Sequence, residues 1–273
     1  MLYSYIETTI KCRELGTSQA GNNMHRRKVI QGIAALAGSM SAGRLLAQDT
    51  APSAIGAGSC RLISQDVTGP FHTEHYLEHS NLMEGQNGLP LTLNFNVKDV
   101  MTCKPLAGAK VMIWHANSEG YYSGVENVVL NADGTAQDEV IDLRDETFCR
   151  GMQTSDEQGR VQFVTTFPGW YFPRATHIHV KVYPPGFGEE ATTQLYLHNE
   201  NCDEVYATKH YQHRGPNPTR RNPGEESSLF SYDEGDLWLN IVKERGGYAT
   251  THEIGVISYG GMFGELPEYY QKG

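Results

Sequence analysis

From residue 90 onward the chain is written in short runs of alternating apolar and polar residues. Leu91, Leu93, Phe95 and Val97 alternate with Thr92, Asn94, Asn96 and Lys98, the period-two pattern of a half-buried strand. Ala109–Ala116 reads as a second strand, with Val111 and Ile113 opposite Met112 and Trp114. After the Asp156–Gly159 turn, Val161, Phe163 and Thr165 line one face of another strand, which ends at the Pro168-Gly169 bend. His177–Tyr183 follows, with Ile178, Val180 and Val182 on one face, and then Thr193–Leu197, with Leu195 and Leu197 opposite Gln194 and Tyr196. Trp238–Lys243 and Tyr248–Val256, joined through Gly246-Gly247, read as a closing hairpin. Between the strands, residues 72–90 read as a loop with solvated His72, His75 and His79. Residues 125–147 read as a long polar excursion, and 199–235 as loop. Many short strands with turns between them, and no long helix beyond the N-terminal leader, predict an all-β fold. The expected form is an antiparallel β-sandwich with long loops.

The N-terminus departs from this pattern. Arg26-Arg27-Lys28 precedes an apolar stretch from Val29 to Met40, followed by small residues. That order is expected of a cleaved export signal, and the paired arginines suggest the twin-arginine route. Residues 1–47 are assigned to the signal, with 1–23 a possible upstream extension before Met24; 48–59 form a flexible lead-in and 60–273 the folded domain. The protein is thus expected to be exported, periplasmic or extracellular, and free of the membrane once the signal is removed. Cys60, Cys103, Cys149 and Cys202 remain, an even number that allows two disulfides in three connectivities.

Charge narrows the partners. The whole chain carries −10, and residues 1–47, with six Lys/Arg and two Asp/Glu, are net basic, so the remainder stands at about −14. An acidic surface argues against nucleic acid as a partner.

The candidate chemistry lies at Pro168–His179. His177 and His179 share the polar face of their strand, which places two imidazoles side by side. Alone, the pair is as consistent with any polar strand face. Tyr171 in the Pro-Gly turn, with Arg174 beside it, can bring a phenol to the same point, and Tyr121 or Tyr122 can supply a second. Two imidazoles with phenolates favour a hard, highly charged ion such as Fe(III) over zinc or copper.

In order along the chain stand Gly69-Pro70-Phe71, Pro105-Leu106-Ala107-Gly108-Ala109, and Ile113-Trp114-His115-Ala116-Asn117 with Gly120-Tyr121-Tyr122-Ser123-Gly124. Then come Phe148-Cys149-Arg150-Gly151, Phe167-Pro168-Gly169-Trp170-Tyr171, Arg174-Ala175-Thr176-His177-Ile178-His179, and Thr192-Thr193-Gln194-Leu195. This series resembles the intradiol ring-cleavage dioxygenases, the family of catechol 1,2- and protocatechuate 3,4-dioxygenases, and most of all its secreted members. The resemblance implies that Tyr122, Tyr171, His177 and His179 bind Fe(III), and that Arg174 and Gln194 border the substrate. It also implies that Tyr171 leaves the metal when substrate binds and takes up a proton. The implied reaction inserts both atoms of O2 and opens a catechol-type ring between its hydroxylated carbons, giving a cis,cis-muconate-type diacid. His115 falls outside the ligand pattern and is expected to be a packed, hydrogen-bonded residue. The family suggests a homodimer. The competing reading is a secreted β-sandwich that binds ligands without catalysis; the filled ligand and substrate-bordering positions speak against it.

Overall fold

The computed structural model describes residues 60–74, 77–131, 134–186, 188–221 and 235–259. The export signal and lead-in assigned to 1–59, and His75, lie outside the described residues. The strands are β1 (Pro90–Asp99), β2 (Lys104–Pro105), β3 (Lys110–Trp114), β4 (Glu126–Leu130), β5 (Ala136–Asp142) and β6 (Arg150–Thr154). They continue with β7 (Arg160–Thr166), β8 (His177–Tyr183), β9 (Ala191–Leu197), β10 (Trp238–Leu239), β11 (Ile241–Glu244) and β12 (Gly247–Val256). One helix, α1 (Asn199–Tyr206), follows β9.

Two five-stranded sheets face each other. In the first, β1 is central: β12 lies along one side of it, and β7 and β2 pair with the other, with β11 at the far edge beside β12. The second runs β10-β9-β8-β3-β6. The alternation of β1 is realised fully, every second residue being buried from Leu91 to Asp99. Leu91, Leu93, Phe95 and Val97 meet Val111 and Ile113 of β3, Ile178 and Val180 of β8 and Leu195 of β9 in one core. Full burial of each such side chain contributes about 1.5–3 kcal/mol, so the interlocked alternations of the facing sheets hold the sandwich together.

Pairing differs from expectation in two respects, the first being that the leading arm of the closing hairpin is split: Trp238–Leu239 joins β9 in the second sheet, and Ile241–Glu244 pairs with β12. The second is that the sheets are mixed, since β1 and β12 run parallel, as do β9 and β10. Parallel neighbours need long connections, and these strands are far apart in the chain.

Other expectations change as well. The 125–147 excursion contains a hairpin, β4–β5, that pairs with neither large sheet. It is exposed on most positions, so it lacks the one-sided apolar pattern that marks a strand in sequence. Within the stretch read as loop, α1 buries Cys202, Val205 and Tyr206, spaced one helical turn apart. At eight residues it is too short to stand out by periodicity. His79 is half-buried with its ring against the Arg150 carbonyl, and His72 packs edge-on to Trp114. Neither is simply solvated. Cys60 and Cys103 form a disulfide, whereas Cys149 and Cys202 are buried free thiols. The second expected disulfide is absent because each thiol is enclosed separately, Cys149 against Thr166 and Cys202 against the Leu197 carbonyl. No helix among the described residues is long and apolar enough to cross a membrane.

Candidate active site

The site lies on the face of the second sheet that is turned away from the sandwich core. Since Ile178 and Val180 point into that core, His177 and His179 must point out of it. Register decides what surrounds them. Trp114 of β3 pairs with His179 on one side, and on the other Gln194 and Tyr196 of β9 pair with His179 and His177. A second apolar cluster covers this face: Met112, Trp114, Ala116, Tyr122 and Met152, with Phe71 and Tyr171 packed on it.

Two loops bring in the phenols, and both are held by close backbone contact. At Gly169 a Cβ would come within 2.3 Å of the Asn117 carbonyl, so only glycine lets the Pro168-Gly169 bend press on the 117–118 backbone. At Gly120, with φ of +83°, a Cβ would lie 2.4 Å from the Trp170 carbonyl. These contacts lock the Tyr122 loop to the Tyr171 loop. The Asn127 side chain, at the start of the β4–β5 hairpin, accepts from the Tyr122 amide and donates to its carbonyl, each at 2.8 Å. Behind the bend, the Tyr206 hydroxyl of α1 donates to the Pro168 carbonyl and lies 2.7 Å from the Thr176 hydroxyl. The late part of the chain therefore buttresses the site.

The result is convergence of Tyr122, Tyr171, His177 and His179. Ring centres lie 4.7 Å apart for the two histidines, 5.7 Å for Tyr171 and His177, 5.6 Å for the two tyrosines, and 6.1 Å for Tyr122 and His179. The two Nε2 atoms are 3.1 Å apart, and the Tyr171 hydroxyl is 3.4 Å from Nε2 of His177. Of the two tyrosines that residue type alone left open, Tyr122, the one implied by the family resemblance, is buried. Phe71 lies flat on its ring at 4.3 Å, and Trp114 lies flat on His179 at 4.8 Å.

Whether these groups suit a metal ion can be judged from their own chemistry. Nδ1 of His177 donates to the Ala175 carbonyl at 2.6 Å, which leaves Nε2 as a lone pair. Two imidazole nitrogens bound side by side on one ion, each at about 2.1 Å, sit about 3 Å apart, the spacing seen here. The Tyr122 hydroxyl is buried facing the Tyr171 phenol, and no hydrogen bond of good geometry satisfies it. Burial pushes both imidazoles well below the usual histidine range, and Arg174 adds to the effect at His177 and His179. Burial likewise raises both phenols, opposed by the Arg174 guanidinium. The groups are thus neutral, desolvated and aimed at one point. A strongly charged cation is what would draw protons off both phenols there. No group of three His, Cys, Asp or Glu side chains among the described residues offers a metal site, so the set requires the phenols. One consequence concerns stability alone. In metal-free protein, Tyr122→Phe removes an unsatisfied buried hydroxyl and should leave stability unchanged or raise it by about 1–3 kcal/mol. Denaturant unfolding measures this, and a clear loss would mean the hydroxyl is satisfied in the fold.

Arg174 and Gln194 stand beside this cluster, and an Arg174 Nη2 hydrogen bond goes to Gln194 Oε1. Gln194 is itself held by donation from Nε2 to the Val67 carbonyl at 2.7 Å. His115 is fully enclosed, with Nδ1 on the Ala116 carbonyl and Nε2 on the Thr165 hydroxyl, both at 2.8 Å. Burial lowers it to about 4, so it is a neutral structural residue pointing away from the site.

Several contributors carried no signal of their own in the sequence. Trp114 read only as a strand residue, and its place under His179 follows from register. Arg150 is 1% exposed and donates from Nη2 to the carbonyls of Phe71 and Ser123 at 2.7 and 2.9 Å, tying the Phe71 loop to the Tyr122 loop. Tyr196 stands next to Arg174, and Asp66 next to Tyr196.

Comparison with known proteins points to one family. A family model described as a dioxygenase matches residues 67–233. A chlorocatechol 1,2-dioxygenase of Pseudomonas putida is 27% identical over 157 residues, 48% of this chain and 52% of that protein, so the chain spans about half the length of this curated relative. An intradiol ring-cleavage dioxygenase from Tetranychus urticae is 28% identical, with a TM-score of 0.58 over 72% of this chain and 95% of that one. A second dioxygenase crystal structure is 25% identical, with a TM-score of 0.59 over the same shares. The matched segment runs from the residue after Asp66 through every residue of the four-ring cluster and past α1, and on that ground the chain belongs to the intradiol ring-cleavage dioxygenase family.

Proposed function

We propose that this protein is a non-haem Fe(III) enzyme that cleaves a catechol-type ring between its two hydroxylated carbons. Both atoms of O2 enter the product, a cis,cis-muconate-type diacid. The observation that carries this reading is the meeting of Tyr122, Tyr171, His177 and His179 at one buried point. When bound there, ferric iron would supply Lewis acidity that activates a catechol-type substrate. The name of the Pseudomonas putida relative supports a catechol-class substrate.

The chain's own residues divide the remaining work. Tyr122 is 1% exposed, stacked under Phe71 and clamped through its backbone by Asn127, so it is suited to stay in place. Tyr171 is less enclosed and opens the Tyr171–Arg174 turn, where the Arg174 amide donates to the Tyr171 carbonyl at 3.0 Å. It is the phenol free to move aside and to receive a substrate hydroxyl proton on its oxygen. Arg174 holds a fixed positive charge where the ring becomes anionic, and therefore favours that state over the neutral one. Phe71, Trp114 and Met112 exclude water from the same face.

Export fits the same reading. The Arg26-Arg27 leader supports it, and so does the Cys60–Cys103 disulfide, which persists in oxidising compartments.

The test uses iron-loaded protein. It should be red-brown from phenolate-to-iron charge transfer. It should also consume O2 with at least one of catechol, protocatechuate, hydroxyquinol or an alkylated catechol, one O2 per ring opened. Iron-replete protein that is colourless, or that takes up no O2 with the whole panel, would leave a binding module as the surviving account.

A further inference from the structure

The guanidinium of Arg174 is held by a chain of groups that starts at a buried carboxylate. Asp66 is 8% exposed, and its backbone amide donates to the Thr192 carbonyl at 2.8 Å, fixing it against the edge of β9. Oδ1 accepts from the Val67 amide at 2.6 Å, and Oδ2 faces the Tyr196 hydroxyl at 3.3 Å. That hydroxyl in turn accepts from Nη2 of Arg174 at 3.2 Å. It also lies 3.3 Å from Oε1 of Gln194, but a phenol has a single hydrogen to give. Gln194 Oε1 already receives an Arg174 hydrogen, so the phenolic hydrogen is best directed to the carboxylate, the stronger acceptor. The Tyr196 ring cannot swing away, because the Arg221 guanidinium lies 3.8 Å from its centre on one face. Both hydrogens of Arg174 Nη2 are thereby committed, to Gln194 and to Tyr196. The guanidinium is thereby anchored through Nη2, which leaves the hydrogens of Nε and Nη1 to meet the other groups of the site, the Tyr171 phenol among them.

We propose that Asp66 and Tyr196 are positioning residues that act through Arg174: the carboxylate orients the phenol, and the phenol fixes the guanidinium edge presented to the bound ring. The assignment deepens the proposed ring cleavage and rests on it. Without this clamp a long arginine side chain loses its orientation while keeping its charge. Substrate should then still bind, and turnover should fall, because the loss is felt where negative charge develops.

The test compares Tyr196→Phe and Asp66→Asn in the iron-loaded full chain, alone and combined with Arg174→Ala. Each single variant should lower kcat about tenfold, the loss of one hydrogen bond to a charged group. Anaerobic affinity for the same catechol and the visible band of the iron-loaded protein should stay as in the parent. On an Arg174→Ala background neither substitution should slow turnover further, because its target is gone; a merely structural role would still be felt there. Parent-like kcat in both variants, or full additivity with Arg174→Ala, overturns the proposal. Should Tyr196→Phe not fold, Asp66→Asn reads the same edge. A parent protein that opens no catechol refutes the proposed activity and not the clamp. A crystal structure of metal-free Asp66→Asn then decides: Arg174 displaced from Gln194 supports it, and Arg174 in place overturns it.

Discussion

Iron should leave the protein when His179 becomes alanine. The substitution deletes one of two imidazoles whose Nε2 atoms face each other at 3.1 Å, and opens a gap against Trp114, on which His179 is stacked. Groups that merely orient a ligand are worth about 10–100-fold in metal affinity, so loss of the ligand itself should exceed about a hundredfold. Iron analysis after dialysis and the visible charge-transfer band read the outcome directly. The control is His115→Ala. This residue is equally buried, but its hydrogen bonds run to Ala116 and Thr165. It should cost about 1–3 kcal/mol of stability and leave iron in place. Undiminished iron in His179→Ala, or iron lost from His115→Ala alone, would show that the ligand assignment is wrong.

The second large effect concerns stability. The Cys60–Cys103 disulfide closes a loop of 43 residues that holds the segment leading to Asp66 and Gly69, together with β1. On loop-closure entropy, Cys103→Ser should cost about 4 kcal/mol. Ser64 ties this segment to Asp236 by two hydrogen bonds, and the Ile63 amide bonds to the Gly255 carbonyl, so native contacts are preserved. The change is therefore expected as a lower denaturant midpoint, with a slope equal to or steeper than the parent's because the unfolded chain opens further without the cross-link. Reductant should bring the parent protein to the same midpoint. A parent that unfolds identically with and without reductant would rule out a stabilising bond.

Local pattern carried much of this protein because its strands alternate apolar and polar side chains. One-sided alternation in Leu91–Val97 and His177–Tyr183 tells the chain which face to bury, and on β8 that placed both histidines on the opposite face before any neighbour was known. The loop histidines, the hairpin at 126–142 and the helix at 199–206 were not legible for complementary reasons. His79 is ordered by a distant carbonyl, the hairpin has no buried face, and the helix is two turns long. Cysteine number suggested two disulfides, but a pairing needs the two Cα atoms within reach; Cys60 and Cys103 meet that condition, at 5.4 Å, whereas Cys149 and Cys202 are buried as free thiols.

The amino-acid sequence by itself determined the strand periodicity, the outward face of His177 and His179, and the ordered set of motifs that marks the family. All of these are properties of residues near one another in the chain. Tertiary structure alone decided that Asn127 and Phe71 hold Tyr122 in place, that Trp114 underlies His179, and that Asp66 reaches Arg174 through Tyr196. Each of those depends on strand register or on loop contacts, most of them between segments dozens of residues apart, and no local pattern encodes a distance of that kind.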